Sequence, residues 1–166
     1  MYTLLTQTKR GIEFISRQLA LMGGFIMILL ALMTVISIIG RSLFGITVEG
    51  DYELVEMGLA ISIFLFLTEC QIKKGHVIVD FFTINLAKRK IYFLDSLGNL
   101  MFTIIAATLT WQMYLGGLDY HEYMEQSMIL ELQVWVAYIP AVFCLALLTL
   151  CCFIDTLLGF REYLRS

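Results

Sequence analysis

The sequence predicts an all-α integral membrane protein whose four transmembrane helices form a single membrane domain, residues 1–166. Hydrophobic residues make up 60% of the chain and charged residues 15%, against about 25% charged residues in soluble domains. The mean hydropathy is +0.84. A soluble chain of this length could not bury so much apolar surface, and four apolar stretches reach the length of about 20 residues that crosses a bilayer.

The four spans follow in order along the chain. The first, LALMGGFIMILLALMTVISIIG, contains no charged residue, and no signal-peptide cleavage site follows it, so we expect it to remain as a span. The second carries a charge near each end, and the third carries Asp95 near its start. Short connections predict antiparallel neighbours. The predicted spans are approximately 19–40, 54–72, 93–115 and 135–157.

Lysine and arginine are concentrated on one side of these spans. The two termini and the middle connection hold ten of the eleven basic residues, whereas the opposite side holds Arg41 alone. Because positive residues favour the cytoplasmic side, both termini and the middle connection are predicted to be cytoplasmic. Three or five spans would remove this asymmetry, so it also supports the number four.

The two outer connections are acidic. This pattern has two interpretations: a solvated acidic face, or a docking surface for a partner outside the membrane, since complementary charge steers encounters between proteins. The residues concerned are Glu49, Asp51, Glu53, Glu56, Asp119, Glu122, Glu125 and Glu131.

Small and weakly polar residues recur at helical spacing in every span, among them Gly23, Gly58, Ser62, Thr103 and Thr110. Membrane helices pack through such residues, so the stripes predict a self-packed four-helix bundle, or one in which a stripe also meets a larger membrane partner. The four cysteines have no metal-site spacing and are interpreted as small buried hydrophobes.

Ionisable residues lie near the ends of the spans, where they predict boundary anchors and contacts between helices or with a partner. Glu69 and Lys73 are four residues apart and can form an ion pair. Arg41 is predicted within reach of Glu53 or Glu56. Asp95 marks the inner boundary and Trp135 belongs to an outer aromatic belt. A self-sufficient transporter is expected to place an ionisable residue deep in a helix.

The stretch IKKGHVIVD, residues 72–80, interrupts the apolar pattern after the second span. His76 and Asp80 could suggest a metal pair, but a site needs more ligands than the sequence places nearby. Lys74 and Gly75 favour a topology hinge instead, with Gly75 ending the helix and Asp80 capping a short interfacial helix within residues 80–90.

Catalysis is not indicated by any motif. Both histidines lie in connections, whereas a membrane cytochrome needs histidine ligands inside its helices. The chain shows no nucleophile–base pair and no phosphate-binding loop. We therefore expect no enzymatic activity, no catalytic, cofactor-binding or metal-ligating residues, and no nucleic acid partner.

Three motifs, taken in order, carry a family resemblance: RSLFG after span one, KKGHVIVD after span two, and SMILELQVWVAYIPAVF leading into span four. With four spans and an acidic start to the second, the chain resembles the small Q-type membrane subunit of tripartite ATP-independent periplasmic (TRAP) transporters over residues 15–158. The acidic start EGDYELVEM differs from the family in lacking the tryptophan often found there.

The resemblance implies a location in the bacterial inner membrane and two protein partners, a large membrane subunit and a soluble periplasmic substrate-binding protein, besides membrane lipids. The large subunit would use an ion gradient, Na⁺, to take up carboxylates such as C4-dicarboxylates or sialic acids. The small subunit would hold no cofactor, brace the large subunit and help to dock the binding protein. The alternative is a stand-alone homo-oligomeric channel or exporter, for which Glu69 is the residue to test.

Overall fold

The computed structural model describes residues 2–45, 49–73 and 88–165, which form four long α-helices. Each contains a segment long and apolar enough to cross a membrane, which confirms the predicted all-α fold with four spans. The helices are α1 (Tyr2–Phe44), α2 (Asp51–Ile72), α3 (Lys88–Glu122) and α4 (Trp135–Arg165).

The helices are longer than the predicted spans. The 43 residues of α1 correspond to about 64 Å, roughly twice the hydrocarbon thickness of a bilayer. The first turns of α1 therefore continue beyond the membrane-spanning part of the helix. The hinge residues Lys74, Gly75, His76 and Asp80 fall in 74–87, outside the described residues. Of the segment 80–90 predicted to hold a short interfacial helix, only 88–90 are described, and they begin α3.

The spatial order of the helices differs from their order in the chain. α1 packs on α2, α2 packs on α4, and α4 packs on α3, with a smaller contact between α1 and α4. Within the described residues, α4 is thus the helix that contacts the other three, while α1 and α3 lie at the two edges. The arrangement is more open than the self-packed bundle suggested by the stripes.

The contact between α1 and α2 depends on glycines. A Cβ on Gly23 would lie 3.1 Å from Leu65 Cβ, and one on Gly58 would lie 2.7 Å from a methyl group of Leu30. At the far end of the pair, Ser37 Oγ donates a hydrogen bond of 2.6 Å to Asp51 Oδ2. Small residues therefore let the two backbones approach closely.

The contact between α3 and α4 contains hydroxyl groups at seven-residue intervals, which we call the hydroxyl ladder. Ser96 Oγ donates to the carbonyl of Thr156 at 3.3 Å, and the hydroxyls of Thr103 and Thr156 are 3.4 Å apart. Thr110 and Thr149 pair at 3.2 Å. Because seven residues are close to two helical turns, these groups follow one seam.

The buried core lies along α4. Leu145, Leu148 and Cys152 of α4 pack with Ala106 of α3. Thr68 of α2 donates a hydrogen bond of 3.1 Å to the carbonyl of Cys144, and both residues are buried. A second cluster joins Ile12 of α1 to Cys151 and Ile154. Three of the four cysteines are therefore buried among apolar groups, as the sequence predicts.

Candidate interaction surface at the outer end

The outer end is defined here as the end of the helices that carries the α1–α2 and α3–α4 connections. Residues 123–134 between α3 and α4 form a compact turn structure, which we call the outer hairpin. Gln126 and Gln133 form an antiparallel bridge, and Ser127 N donates to the carbonyl of Leu132 at 2.9 Å. Leu132 N donates in turn to Ser127 Oγ at 3.1 Å. The chain thereby returns on itself with its tip at 128–131.

Glu53, in the first turn of α2, holds the tip of this hairpin. Its Oε1 accepts a hydrogen bond of 2.8 Å from Ile129 N, and its Oε2 accepts one of 2.9 Å from Leu130 N. Hydrogen bonds to a charged acceptor are roughly twice as strong as neutral ones. One carboxylate thus satisfies two successive backbone amides that the turn leaves unpaired within the hairpin.

Gly50 provides the second contact between the hairpin and the α1–α2 connection. Its φ is 74°, in the left-handed region that favours glycine. A Cβ at this position would overlap the side-chain carbons of Leu130, so Leu130 occupies the space that a side chain would need. Gly50, directly before α2, is therefore in close contact with the tip of the outer hairpin.

A cavity of about 490 Å³ opens beneath the hairpin, between α2, α3 and α4. Glu53 and Glu56 line it on one side, and the rings of Tyr120 and Tyr138, with centroids 5.2 Å apart, line another. Most of the remaining lining is apolar and includes Phe64. The cavity thus brings two carboxylates and two tyrosine rings together with a mostly apolar wall.

Arg41 lies on a different cavity from the one that Glu53 and Glu56 share. This smaller cavity, about 150 Å³, is also lined by Ser37, Asp51 and Tyr52 between α1 and α2. The predicted reach of Arg41 to Glu53 or Glu56 stays a prediction. Arg41 and Asp51 line this smaller cavity together, and both oxygens of Glu53 accept hydrogen bonds from hairpin amides.

Trp135 begins α4 at the outer end, where the sequence predicts an aromatic belt. Its Nε1 donates a hydrogen bond of 2.9 Å to Gln133 Oε1. Its ring packs edge-to-face with that of His121, and the two ring centroids are 4.9 Å apart. Both rings border an apolar cavity of about 580 Å³ between α3 and α4. The side chain of Trp135 thereby ties the end of the hairpin to the last turn of α3.

At the inner end, Glu69 Oε1 lies 3.0 Å from Lys73 Nζ. The Lys73 side chain is largely exposed, whereas that of Glu69 is mostly covered. Asp95 lies within α3, and its side chain is outside the described set. The predicted site residues therefore do not form one site: Arg41, Glu53, Glu56 and Trp135 lie at the outer end, and Glu69 and Lys73 at the other.

The residues that fix the position of the hairpin could not be identified from the sequence. Gly50, Ile129 and Leu130 act through backbone geometry and packing, which leave no side-chain signature. A weak signal existed in the motif SMILEL, where three consecutive apolar residues stand between a serine and a glutamate in an otherwise acidic connection. Met124 and Glu131 adopt φ of 51°, which no residue preference would indicate.

The comparison with protein families decides the identity. The model of the tripartite ATP-independent periplasmic transporters, DctQ component, matches residues 30–162. The chain belongs to this family. The match covers the last third of α1 (residues 30–44), all of α2 and α3, the outer hairpin and α4 to within a few residues of its end. Comparisons with curated proteins and with solved structures found no match.

Membership confirms the resemblance predicted from the sequence. A DctQ component is the small membrane subunit of a TRAP transporter, resides in the inner membrane and associates with other TRAP components. The four apolar helices agree with that location. The outer hairpin and its contacts with α2 lie within the matched residues, so they belong to the part of the chain that carries the family pattern.

Proposed function

We propose that this DctQ component is a scaffold subunit that carries no substrate itself, in a transporter that takes up carboxylates of the C4-dicarboxylate or sialic acid class. A large membrane subunit couples uptake to an Na⁺ gradient, and a soluble periplasmic binding protein delivers the substrate. The present chain braces the large subunit with its helices and helps to dock the binding protein with its outer end.

The main support for this proposal is that polar groups within the spans make contacts between neighbouring helices. The hydroxyl ladder joins α3 to α4, and Thr68 joins α2 to α4. Glu69 is the residue of α2 that could serve an ion path, and its carboxylate forms an ion pair with Lys73 at the inner end. Since an ion path needs ionisable groups within the membrane, these contacts support a packing role over a transport role.

The docking role is supported by the charge of the outer end. The side chains of Glu49, Glu56, Glu122, Glu125 and Glu131 are all exposed there. A cluster of one sign raises the rate of encounter with a surface of opposite sign and is weakened by salt. The predicted orientation places this surface in the periplasm, on the side of a soluble partner.

Reconstitution into liposomes tests the scaffold role. We expect uptake when this chain, the large subunit and the binding protein are all present, and none when this chain is reconstituted alone. Glu69→Gln in the full complex is expected to leave uptake within about twofold, because the partner Lys73 is largely exposed and a solvent-screened ion pair is worth less than about 1 kcal/mol. Substrate or ion movement by the chain alone would refute the scaffold role and favour a stand-alone channel.

A binding measurement tests the docking role. The combined variant Glu122→Gln, Glu125→Gln, Glu131→Gln is expected to weaken binding of the soluble component to the membrane complex and to reduce its dependence on salt. The control is Glu13→Gln, which removes one acidic group from the inner part of α1. Equal affinity and equal salt dependence in the wild type and the triple variant would contradict docking through the acidic surface.

A further inference from the structure

The tip of the outer hairpin presents two apolar side chains to water. Met128 is 97% exposed and Ile129 is 58% exposed. Glu125 and Glu131 flank them and are exposed as well. Because carboxylates are unfavourable in hydrocarbon, this tip does not suit insertion among lipid chains. Two exposed apolar side chains flanked along the chain by acidic groups have the composition of a protein interface, with an apolar centre and a polar rim.

The tip is also fixed before any partner arrives. Glu53 accepts hydrogen bonds from the amides of Ile129 and Leu130, and the Leu130 side chain packs against Gly50. Met128 directly precedes these two residues in the chain, so its side chain extends from a backbone that is held in place. A preorganised loop loses less conformational entropy on binding than a flexible one, which favours affinity.

We propose that Met128 and Ile129 are the apolar anchor by which the outer end holds the soluble binding component, and that Glu53 is the positioning residue that presents them. This inference rests on the proposed docking function and deepens it. The surface that fits the anchor is an apolar pocket with a basic rim on the soluble component. The acidic groups steer the encounter, while the anchor slows dissociation.

The anchor is tested in the complex of this chain with its large subunit, held in lipid nanodiscs and titrated with the soluble component. Met128→Ser and Ile129→Ser are each expected to raise Kd about tenfold, the effect of truncating a side chain at the centre of an interface. Phe14→Ser is the matched control, since Phe14 is 67% exposed but lies near the other end of α1. It is expected to leave Kd unchanged.

Glu53→Ala separates positioning from direct contact. This substitution is expected to raise Kd about as much as Met128→Ser and, unlike Met128→Ser, to speed amide hydrogen exchange at residues 129 and 130. The double variant Glu53→Ala, Met128→Ser is expected to lose less affinity than the product of the two single effects, because an unanchored tip no longer presents Met128. Glu53→Ala with wild-type Kd and wild-type exchange would overturn the positioning role.

The outcomes separate this inference from the function on which it rests. Unchanged Kd in both tip variants, with weaker binding in the acidic triple variant, overturns the anchor and leaves docking in place. Unchanged Kd in the tip and acidic variants alike overturns both. Loss of the large subunit from the purified tip variants, with binding of the soluble component preserved, assigns the tip to contacts within the membrane complex and also overturns the anchor.

Discussion

At the residue scale, Glu53 and Gly50 decide how the outer end is built. The sequence predicts Glu53 as a contact residue because it is an acid at the start of a span. Its actual partners, the amides of Ile129 and Leu130, could not be predicted, since every residue carries an amide and the choice depends on the hairpin's position. Gly50 carries no signal beyond being a glycine between two helices.

Replacing Gly50 with alanine is expected to destabilise the protein through two effects. The left-handed backbone costs about 1–2 kcal/mol for a residue with a Cβ, and the added carbon would overlap Leu130 Cγ. Gly45→Ala is the matched control, because Gly45 has φ of 68° with nothing within 4 Å of the added carbon. Thermal unfolding in detergent should show a larger loss for Gly50→Ala. Equal losses would mean that Leu130 moves away freely.

At the element scale, the sequence predicts that the helices pack through small residues but not which helices are neighbours. Gly23, Gly58 and Ser62 were assigned to packing stripes, and they do lie between α1 and α2. On α3, Thr103 and Thr110 of the hydroxyl ladder belong to the predicted stripe. Their partners Thr149 and Thr156 lie outside the stripe predicted for α4, because the sequence does not show which face of α4 meets α3.

Adjacent glycines in α1 give a test of the α1–α2 contact. Gly23→Leu is expected to lower the unfolding free energy by about 1–3 kcal/mol, the usual effect of overpacking, because even a Cβ at Gly23 would lie 3.1 Å from Leu65 Cβ. Gly24→Leu should be neutral or stabilising, since its Cβ meets nothing within 4 Å and leucine favours the helix. Thermal unfolding of both variants in the same detergent checks this. A larger loss for Gly24→Leu would contradict the described contact.

At the scale of the whole molecule, hydropathy and the distribution of basic residues were sufficient to predict four spans. Their success has a physical basis, because every segment in the bilayer must satisfy its backbone internally and therefore forms a long helix. The open order α1, α2, α4, α3 could not be predicted from the sequence, because an apolar helix face can contact either lipid or another helix. An open row also leaves long helix faces available for the other TRAP components.

The predicted orientation can be tested with cysteines introduced at the two ends of the molecule. Cys144, Cys151 and Cys152 are buried, so the natural cysteines of α4 should give little background with a membrane-impermeant thiol reagent. Met128→Cys is expected to react in cells whose inner membrane is intact, because Met128 is 97% exposed at the outer end. Phe14→Cys should react only after that membrane is permeabilised, since the basic residues of its terminus are predicted to stay in the cytoplasm. The wild-type chain is the background control. Labelling of Phe14→Cys before permeabilisation, with Met128→Cys protected from the reagent, would contradict the predicted orientation. The outer hairpin would then lie in the cytoplasm, where a periplasmic partner cannot reach it.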